Sequence, residues 1–324
     1  MSLLAVAPSS AYAAKAPTIT VMTRNVYYGA DLRPLAVTAP GAPFWQLATK
    51  MFNTMRSEDP AGRMKLVAGE IAKAKPDVVG LQEVATWRTG PQPASKVEYD
   101  FLKLITRELK RLHQSYKAVA VEQGLDIEGP MAEGNDVRLT MGDVVLVRNG
   151  VKVSHVRSGL FKNQLVIPTQ AIGTVNVGRG YNQMDVTKQG VTVHVVNTHL
   201  EAFSAPIRLT QANELVAGPT QSKKTTILVG DLNAGPTGPK PEDIPPYTAI
   251  TTAGFVASRT ADHNCCYKGV RDSNQAHWDH DGDWIMTKPA RIVVKSYTVG
   301  TETTAAGIHP GDHGGVVSVL DLTG

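Results

Sequence analysis

Thr226-Ile227-Leu228-Val229-Gly230-Asp231-Leu232-Asn233-Ala234-Gly235-Pro236 is the stretch from which the rest of the 324-residue chain is best read. It opens as an apolar, β-branched run directly after Lys223-Lys224, the pattern of a strand covered on both faces. The run stops at Gly230, and Asp231 and Asn233 follow before a Gly/Pro-rich loop. Residues two apart on extended backbone face the same side. A carboxylate and an amide oxygen would then converge at a buried strand end and suit a hard cation such as Mg²⁺ or Ca²⁺. Taken alone, the same residues describe a turn better, since Asp, Asn, Gly and Pro are all turn formers.

The other strand ends reverse that preference. Residues 18–24 alternate as a strand and end at Asn25, and residues 78–84 form an apolar run that delivers Glu83. Residues 191–197 lead into Thr198-His199-Leu200-Glu201-Ala202. Asp283 precedes the apolar Trp284-Ile285-Met286, and Gly311-Asp312-His313 precedes a last strand over 316–320. Strand after strand thus ends in a residue able to bind a metal or transfer a proton. Each has a plain alternative: His199 as a satisfied core residue, Glu83 as a helix cap, Asp312 as a turn cap.

Further strands are predicted over 116–121, 142–148, 151–156, 171–177 and 292–297, with Arg148-Asn149-Gly150 as a hairpin turn. Helical spacing of apolar residues predicts helices over 61–75, 99–113, 206–217 and 247–253. Residues 124–140 read as a polar surface loop, and Arg179-Gly180-Tyr181 as part of another. No repeat or linker divides the chain. A remnant of a secretory signal over 1–14, ending in Ala11-Tyr12-Ala13-Ala14, followed by one catalytic domain over 15–324, is expected.

Hydrophobic residues make up 42% and charged residues 19%, enough apolar material for a large core. The net charge of +4, with no Lys/Arg-rich run and only 6% aromatics, gives no nucleic-acid footprint. No run is long enough to span a bilayer. The two cysteines, Cys265 and Cys266, are adjacent. They read either as a vicinal disulfide or as two free thiols, and no second Cys pair supports a structural zinc site.

The segments Arg24-Asn25-Val26, Leu81-Gln82-Glu83, Asn197-Thr198-His199-Leu200-Glu201-Ala202, Gly230-Asp231-Leu232-Asn233, Asp283-Trp284-Ile285-Met286 and Gly311-Asp312-His313 together resemble the endonuclease/exonuclease/phosphatase superfamily. Its members include type I deoxyribonucleases, abasic-site endonucleases, inositol polyphosphate 5-phosphatases and bacterial neutral sphingomyelinases. The resemblance implies a four-layer α/β sandwich, two stacked mixed β-sheets flanked by helices. It implies Glu83 and Asn25 as metal ligands, with Asp231 and Asp312 as further ligands. His313 would be the general base, oriented by Asp283. Asp231 and Asn233 would hold the attacking water, the phosphate or a second cation, His199 would contact a phosphate oxygen or assist the leaving group, and Arg179 would add a phosphate contact. The cofactor implied is a divalent metal, Mg²⁺ first, Mn²⁺ or Ca²⁺ otherwise. Two departures stand out. The last motif reads Gly311-Asp312-His313-Gly314-Gly315 where the family has Ser-Asp-His-Pro, and Asp279 and Asp281 compete with Asp283 as orienter.

Asn25-Val26-Tyr27 resembles the start of secreted bacterial sphingomyelinases, without an apolar hairpin for docking on membranes. The expectation is a secreted, monomeric phosphodiesterase for a small or phospholipid-derived headgroup diester. The alternative is a secreted nuclease, with Arg24, Arg33, Arg138 and Arg179 lining its rim. A phosphomonoesterase ranks below these, and a non-catalytic binding module is disfavoured.

Overall fold

The computed structural model describes residues 16–32, 34, 44–169, 172–258 and 262–323. The signal-like residues 1–14 and Arg33 lie outside them. Strands β1 (Thr18–Asn25), β2 (Val78–Gly90), β3 (Lys96–Asp100), β4 (Tyr116–Pro130), β5 (Asp136–Arg148), β14 (Val293–Val299) and β15 (Gly315–Asp321) form one seven-stranded sheet. Its order is β14-β15-β1-β2-β5-β4, with β3 paired to β2. The second sheet has six strands: β6 (Lys152–Leu160), β9 (Gly180–Lys188), β10 (Val191–His199), β11 (Thr226–Asp231), β12 (Val256–Ala257) and β13 (Asp283–Lys288). Its order is β12-β13-β11-β10-β9-β6. Both sheets are mixed: β1 and β2 are parallel in the first, β10 and β11 in the second, each flanked by antiparallel neighbours.

Alternation along β11 shows how the layers assemble. Ile227 and Val229 enter the layer between the sheets, with Ile19, Val21, Val145, Val195 and Ile285. Leu228 faces outward and packs with Ala212 and Leu215 of helix α4 (Ala205–Ala217) and Ile250 of α5 (Ile244–Thr252). On the far side, Met22, Val79 and Leu81 meet Met64, Val67 and Ile71 of α2 (Pro60–Ala74) and Ile105 and Leu109 of α3 (Phe101–Arg111). The result is helices, sheet, sheet, helices. Each such side chain contributes about 1.5–3 kcal/mol over leaving it exposed, so the middle layer binds the sheets firmly.

Four elements depart from the sequence expectation. Arg148-Asn149-Gly150 is not a hairpin turn; it carries the chain from β5 of the first sheet to β6 of the second, and the two strands do not pair. Residues 124–140 are not a surface loop; they complete a long ribbon in which β4 and β5 pair from Tyr116↔Arg148 to Pro130↔Asp136. Leu125, Val137, Leu139 and Met141 bury against the outer helices, which outweighs the polar and glycine residues between them. Gly180-Tyr181 starts β9, paired through Tyr181↔Thr198, instead of lying in a loop. Helix α1 (Phe44–Ser57) was not foreseen, although Ala48, Phe52 and Met55 give it a buried stripe. A small hairpin of β7 (Leu165–Thr169) and β8 (Gly173–Val177) stands apart from both sheets.

Candidate active site

Register gathers the site. His199, Asp231 and Asp283 end three neighbouring strands side by side, through His199↔Asp231 and Asp231↔Asp283. Gly230 permits this, because a Cβ there would stand 2.0 Å from the Thr198 carbonyl oxygen. Beneath the rim, polar bonds cross between the sheets: Gln82 Nε2 donates to Asn197 Oδ1 (2.7 Å) and Asn25 Nδ2 to Asp231 Oδ2 (3.0 Å). A substituent on Gly80 would lie 2.3 Å from Asn197 Oδ1, so the sheets approach closely only because that position has no side chain.

His313 faces Asp283, with Nδ1 2.6 Å from Asp283 Oδ2 and 3.6 Å from Asp231 Oδ2. Burial works against charge on this imidazole. The carboxylates of Asp283 and Asp231 outweigh it and hold the pKa well above the usual histidine value. Asp279 and Asp281 turn elsewhere, to His280 and His263. Two supports went unread in the sequence. Asn264 accepts from the backbone N–H groups of Gly282 and Asp283, donates to the Asp283 carbonyl, and its own carbonyl accepts from Gly314 N–H. Arg24, fully buried against Glu70, donates to the carbonyls of Asn25 and His313. The glycines after His313 follow from packing: a Cβ at Gly314 would sit 2.7 Å from the Trp278 ring and one at Gly315 2.6 Å from Arg24.

His199 is held differently. The Arg179 guanidinium donates to His199 Nδ1 at 2.9 Å, which leaves the ring proton on Nε2. That nitrogen is 3.4 Å from Asp231 Oδ2 and 3.1 Å from the Asn233 amide. Burial, then the Arg179 charge, push the imidazole down to about 3, so it is a neutral N–H donor. Arg179 therefore stands behind His199 and not in the cleft. It is 5% exposed and directed at Glu201, 3.8 Å away, because a buried guanidinium needs carboxylates around it. Asn233 also departs from the extended backbone expected. It adopts a left-handed conformation (φ 46°) and its N–H bonds back to Asp231 Oδ1 at 2.9 Å, yet both side chains still line the cleft.

Glu83 reaches the rim through a β-bulge. The β2/β5 register shifts between Leu81 and Val84, and Glu83 sits at φ 60°. Bulges redirect a side chain in this way next to functional sites. Its Oε2 accepts from Tyr28 N–H at 3.1 Å. Burial and the neighbouring Asp312 push its carboxyl up to about 7. Asp312 Oδ1 is buried with no hydrogen-bond donor. A carboxyl pushed up by burial and by a neighbouring carboxylate, the latter with an orphaned oxygen, fits a hard divalent cation. Asn25 is placed otherwise. Its amide spans Tyr27 N–H and Asp231 under the cleft floor, so the residue is 2% exposed. A second group of possible ligands is Asp231, Asp283 and His313, whose donor atoms lie within 4.8 Å of one another.

The cleft over these residues encloses about 530 Å³ and is walled by Tyr27, Tyr28, Ala202, Phe203, Tyr267 and Lys268. Sequence reasoning singled out none of the last three. Phe203 follows the His199 motif directly, and its 48% exposure was not readable from neighbours in sequence. Cys265 and Cys266 are joined as a vicinal disulfide, with Sγ atoms 3.8 and 3.5 Å from His313 Nε2.

The sequence profile described as Endonuclease/Exonuclease/phosphatase family matches residues 25–313. The chain belongs to that family. The family's named activities are cleavages of phosphate esters, which makes this chain a phosphoric ester hydrolase in broad class. No curated protein matches it. The endonuclease/exonuclease/phosphatase from Beutenbergia cavernae DSM 12333 is 21% identical, with TM-score 0.56, covering 95% of this chain and 72% of that one. A mannosyl-6-phosphatase of Bacteroides thetaiotaomicron VPI-5482 is 15% identical, with TM-score 0.56, covering 93% and 99%. D. rerio TDP2 complexed with single strand DNA product is 16% identical, with TM-score 0.52, covering 94% and 98%. At such identities the likeness is one of fold, the four-layer sandwich.

Proposed function

We propose that the protein is a divalent-cation-dependent phosphodiesterase for a small diester, of phospholipid-headgroup or glycerophosphodiester type, working outside the cytoplasm. The observation that carries this reading is one cleft lined by the carboxylates Glu83 and Asp312, by His199 and Asn233, and by His313, whose Nδ1 is paired with the buried Asp283. Glu83 and Asp312, with Asp231 nearby, would hold the cation. When bound, it supplies charge neutralisation at the phosphoryl oxygens. In its deprotonated form, which the raised pKa moves to higher pH, His313 takes a proton from the attacking water, and Asp283 fixes its tautomer and stabilises the imidazolium. His199 Nε2–H and the Asn233 amide donate to non-bridging oxygens of the phosphate.

Charge around the cleft favours a diester. Among the described lining residues Lys268 alone carries a fixed positive charge, against Asp31, Glu83, Asp231 and Asp312. A monoanionic diester asks for less compensation than a dianionic monoester. The arginines expected at a nuclease rim are engaged elsewhere. Arg24 and Arg179 are buried, and Arg138 pairs with Asp126 on the β4–β5 ribbon. The cleft volume matches small-molecule sites. The paired cysteines support export, since disulfides persist in oxidising compartments. Among the described residues no helix is long and apolar enough to cross a membrane.

The test is a substrate panel after EDTA dialysis and Mg²⁺ addition: glycerophosphodiesters, sphingomyelin, phosphatidylethanolamine, inositol phosphates and plasmid DNA. Mg²⁺-dependent release from one of the diesters supports the proposal. Cleavage confined to plasmid DNA transfers the site to the nuclease reading.

A further inference from the structure

Beside the cleft, Cys265, Cys266 and His280 form a second cluster whose donor atoms lie within 4.8 Å of one another. The hydrolytic site uses none of the three. We propose that, when the disulfide is reduced, these residues bind a thiophilic divalent cation such as Zn²⁺, with His313 Nε2 as the fourth ligand.

The backbone fixes the set in advance. Cys265 and His280 form an antiparallel bridge, in which Cys265 N–H donates to the His280 carbonyl at 3.0 Å and His280 N–H returns to the Cys265 carbonyl at 3.3 Å. Asp279 holds His280 Nδ1 at 2.6 Å. A carboxylate on one ring nitrogen leaves the other unprotonated for a metal, the usual support of a zinc-bound histidine. The fourth position comes from the loop before β15: His313 Nε2 stands 3.5 Å from Cys266 Sγ and 3.8 Å from Cys265 Sγ. Two sulfurs and two imidazole nitrogens make the tetrahedral Cys₂His₂ set that zinc prefers and Mg²⁺ does not.

In the oxidised protein the sulfurs are bonded to each other and the site does not exist. A dithiol or phosphine reductant supplies two electrons, the S–S bond breaks, and two protons complete the thiols. Cation binding then displaces both thiol protons, and the Nε2 proton of His313 where the ring is charged, to solvent. The consequence for hydrolysis rests on the reading of His313 as the base. A cation on Nε2 occupies the lone pair that would accept the water proton, so the reduced enzyme is inhibited by zinc and the oxidised enzyme is not. Binding itself does not depend on that reading.

The test is optical and independent of turnover. Protein reduced with a phosphine is titrated with Co²⁺, and the thiolate-to-cobalt charge-transfer band is followed, then its displacement by Zn²⁺. The expected result is a thiolate band in reduced protein that saturates at one equivalent beyond any Co²⁺ held by the carboxylate site, and no band before reduction. Asp279→Asn, at a side chain that is 69% exposed, should weaken binding by about 10–100-fold, the loss typical of an orienting partner, without unfolding the protein. Cys265→Ser/Cys266→Ser should abolish the band. Absence of a band in the reduced wild type, or its persistence in the double variant, overturns the proposal, whether or not the protein hydrolyses any diester.

Discussion

Replacing Asp283 by Asn keeps shape and removes one charge, 2.6 Å from His313 Nδ1. Both groups are buried and the other Asp283 oxygen has no donor, so solvent cannot make good the loss. If the new amide turns its N–H₂ to Nδ1, the ring proton moves to Nε2 and the base is lost. If it turns its oxygen, the tautomer survives but the imidazolium formed during reaction loses its counter-charge. Unit charges about 4 Å apart at an effective dielectric near 20 interact by about 4 kcal/mol, which is about 10³-fold in rate. The assay is kcat and KM for bis(p-nitrophenyl) phosphate at saturating Mg²⁺, for the wild type, Asp283→Asn, His313→Ala and the double variant. The loss should fall on kcat, and the double variant should be little worse than His313→Ala, because the pair acts as a unit. A loss below about 10², or a larger one in Asp279→Asn or Asp281→Asn, refutes the assignment.

Glu83→Gln should weaken the Mg²⁺ response by more than the 10–100-fold typical of a supporting partner, read from the Mg²⁺ dependence of the rate. In metal-free protein the same change should stabilise. A carboxyl near 4.5 when unfolded and about 7 when folded costs stability above pH 7, up to about 3 kcal/mol, and nothing below about pH 4.5. Denaturant titrations at pH 8 and pH 4 check the sign. Asn264→Ala removes three buried side-chain hydrogen bonds, those to Gly282 and Asp283, and should cost about 2–4 kcal/mol by chemical unfolding and lower kcat. Arg179→Met leaves buried Glu201 without its partner and His199 Nδ1 without a donor. It should cost about 3–5 kcal/mol, and the proton on His199, read by ¹⁵N correlation spectra, should no longer be confined to Nε2.

The strand ends were legible because each apolar run stops at one polar residue, and register then sets His199, Asp231 and Asp283 abreast. What sequence could not supply was how each side chain is aimed. The bulge that lifts Glu83 depends on β5, more than fifty residues away in the chain, and nothing local to Leu81-Gln82-Glu83 encodes it. Arg179 was legible as a charge near the site but not as a group behind His199, because its direction is set by Glu201 on another segment. Asn264 lies in an irregular stretch whose purpose appears only when Asp283 and Gly314 close around it. The β4–β5 ribbon was obscured by Gly124, Gly129 and Gly134, although Leu125, Val137 and Leu139 carry the alternation of a buried face.

The most direct measurement is the rate of bis(p-nitrophenyl) phosphate hydrolysis by protein exhaustively dialysed against EDTA, before and after Mg²⁺ is restored, for the wild type and His313→Ala. The proposed chemistry predicts negligible turnover without the cation, recovery with Mg²⁺ in the wild type, and a rate about 10²–10⁴ lower in His313→Ala. Full turnover in the stripped wild type, or an undiminished rate in His313→Ala, would contradict it.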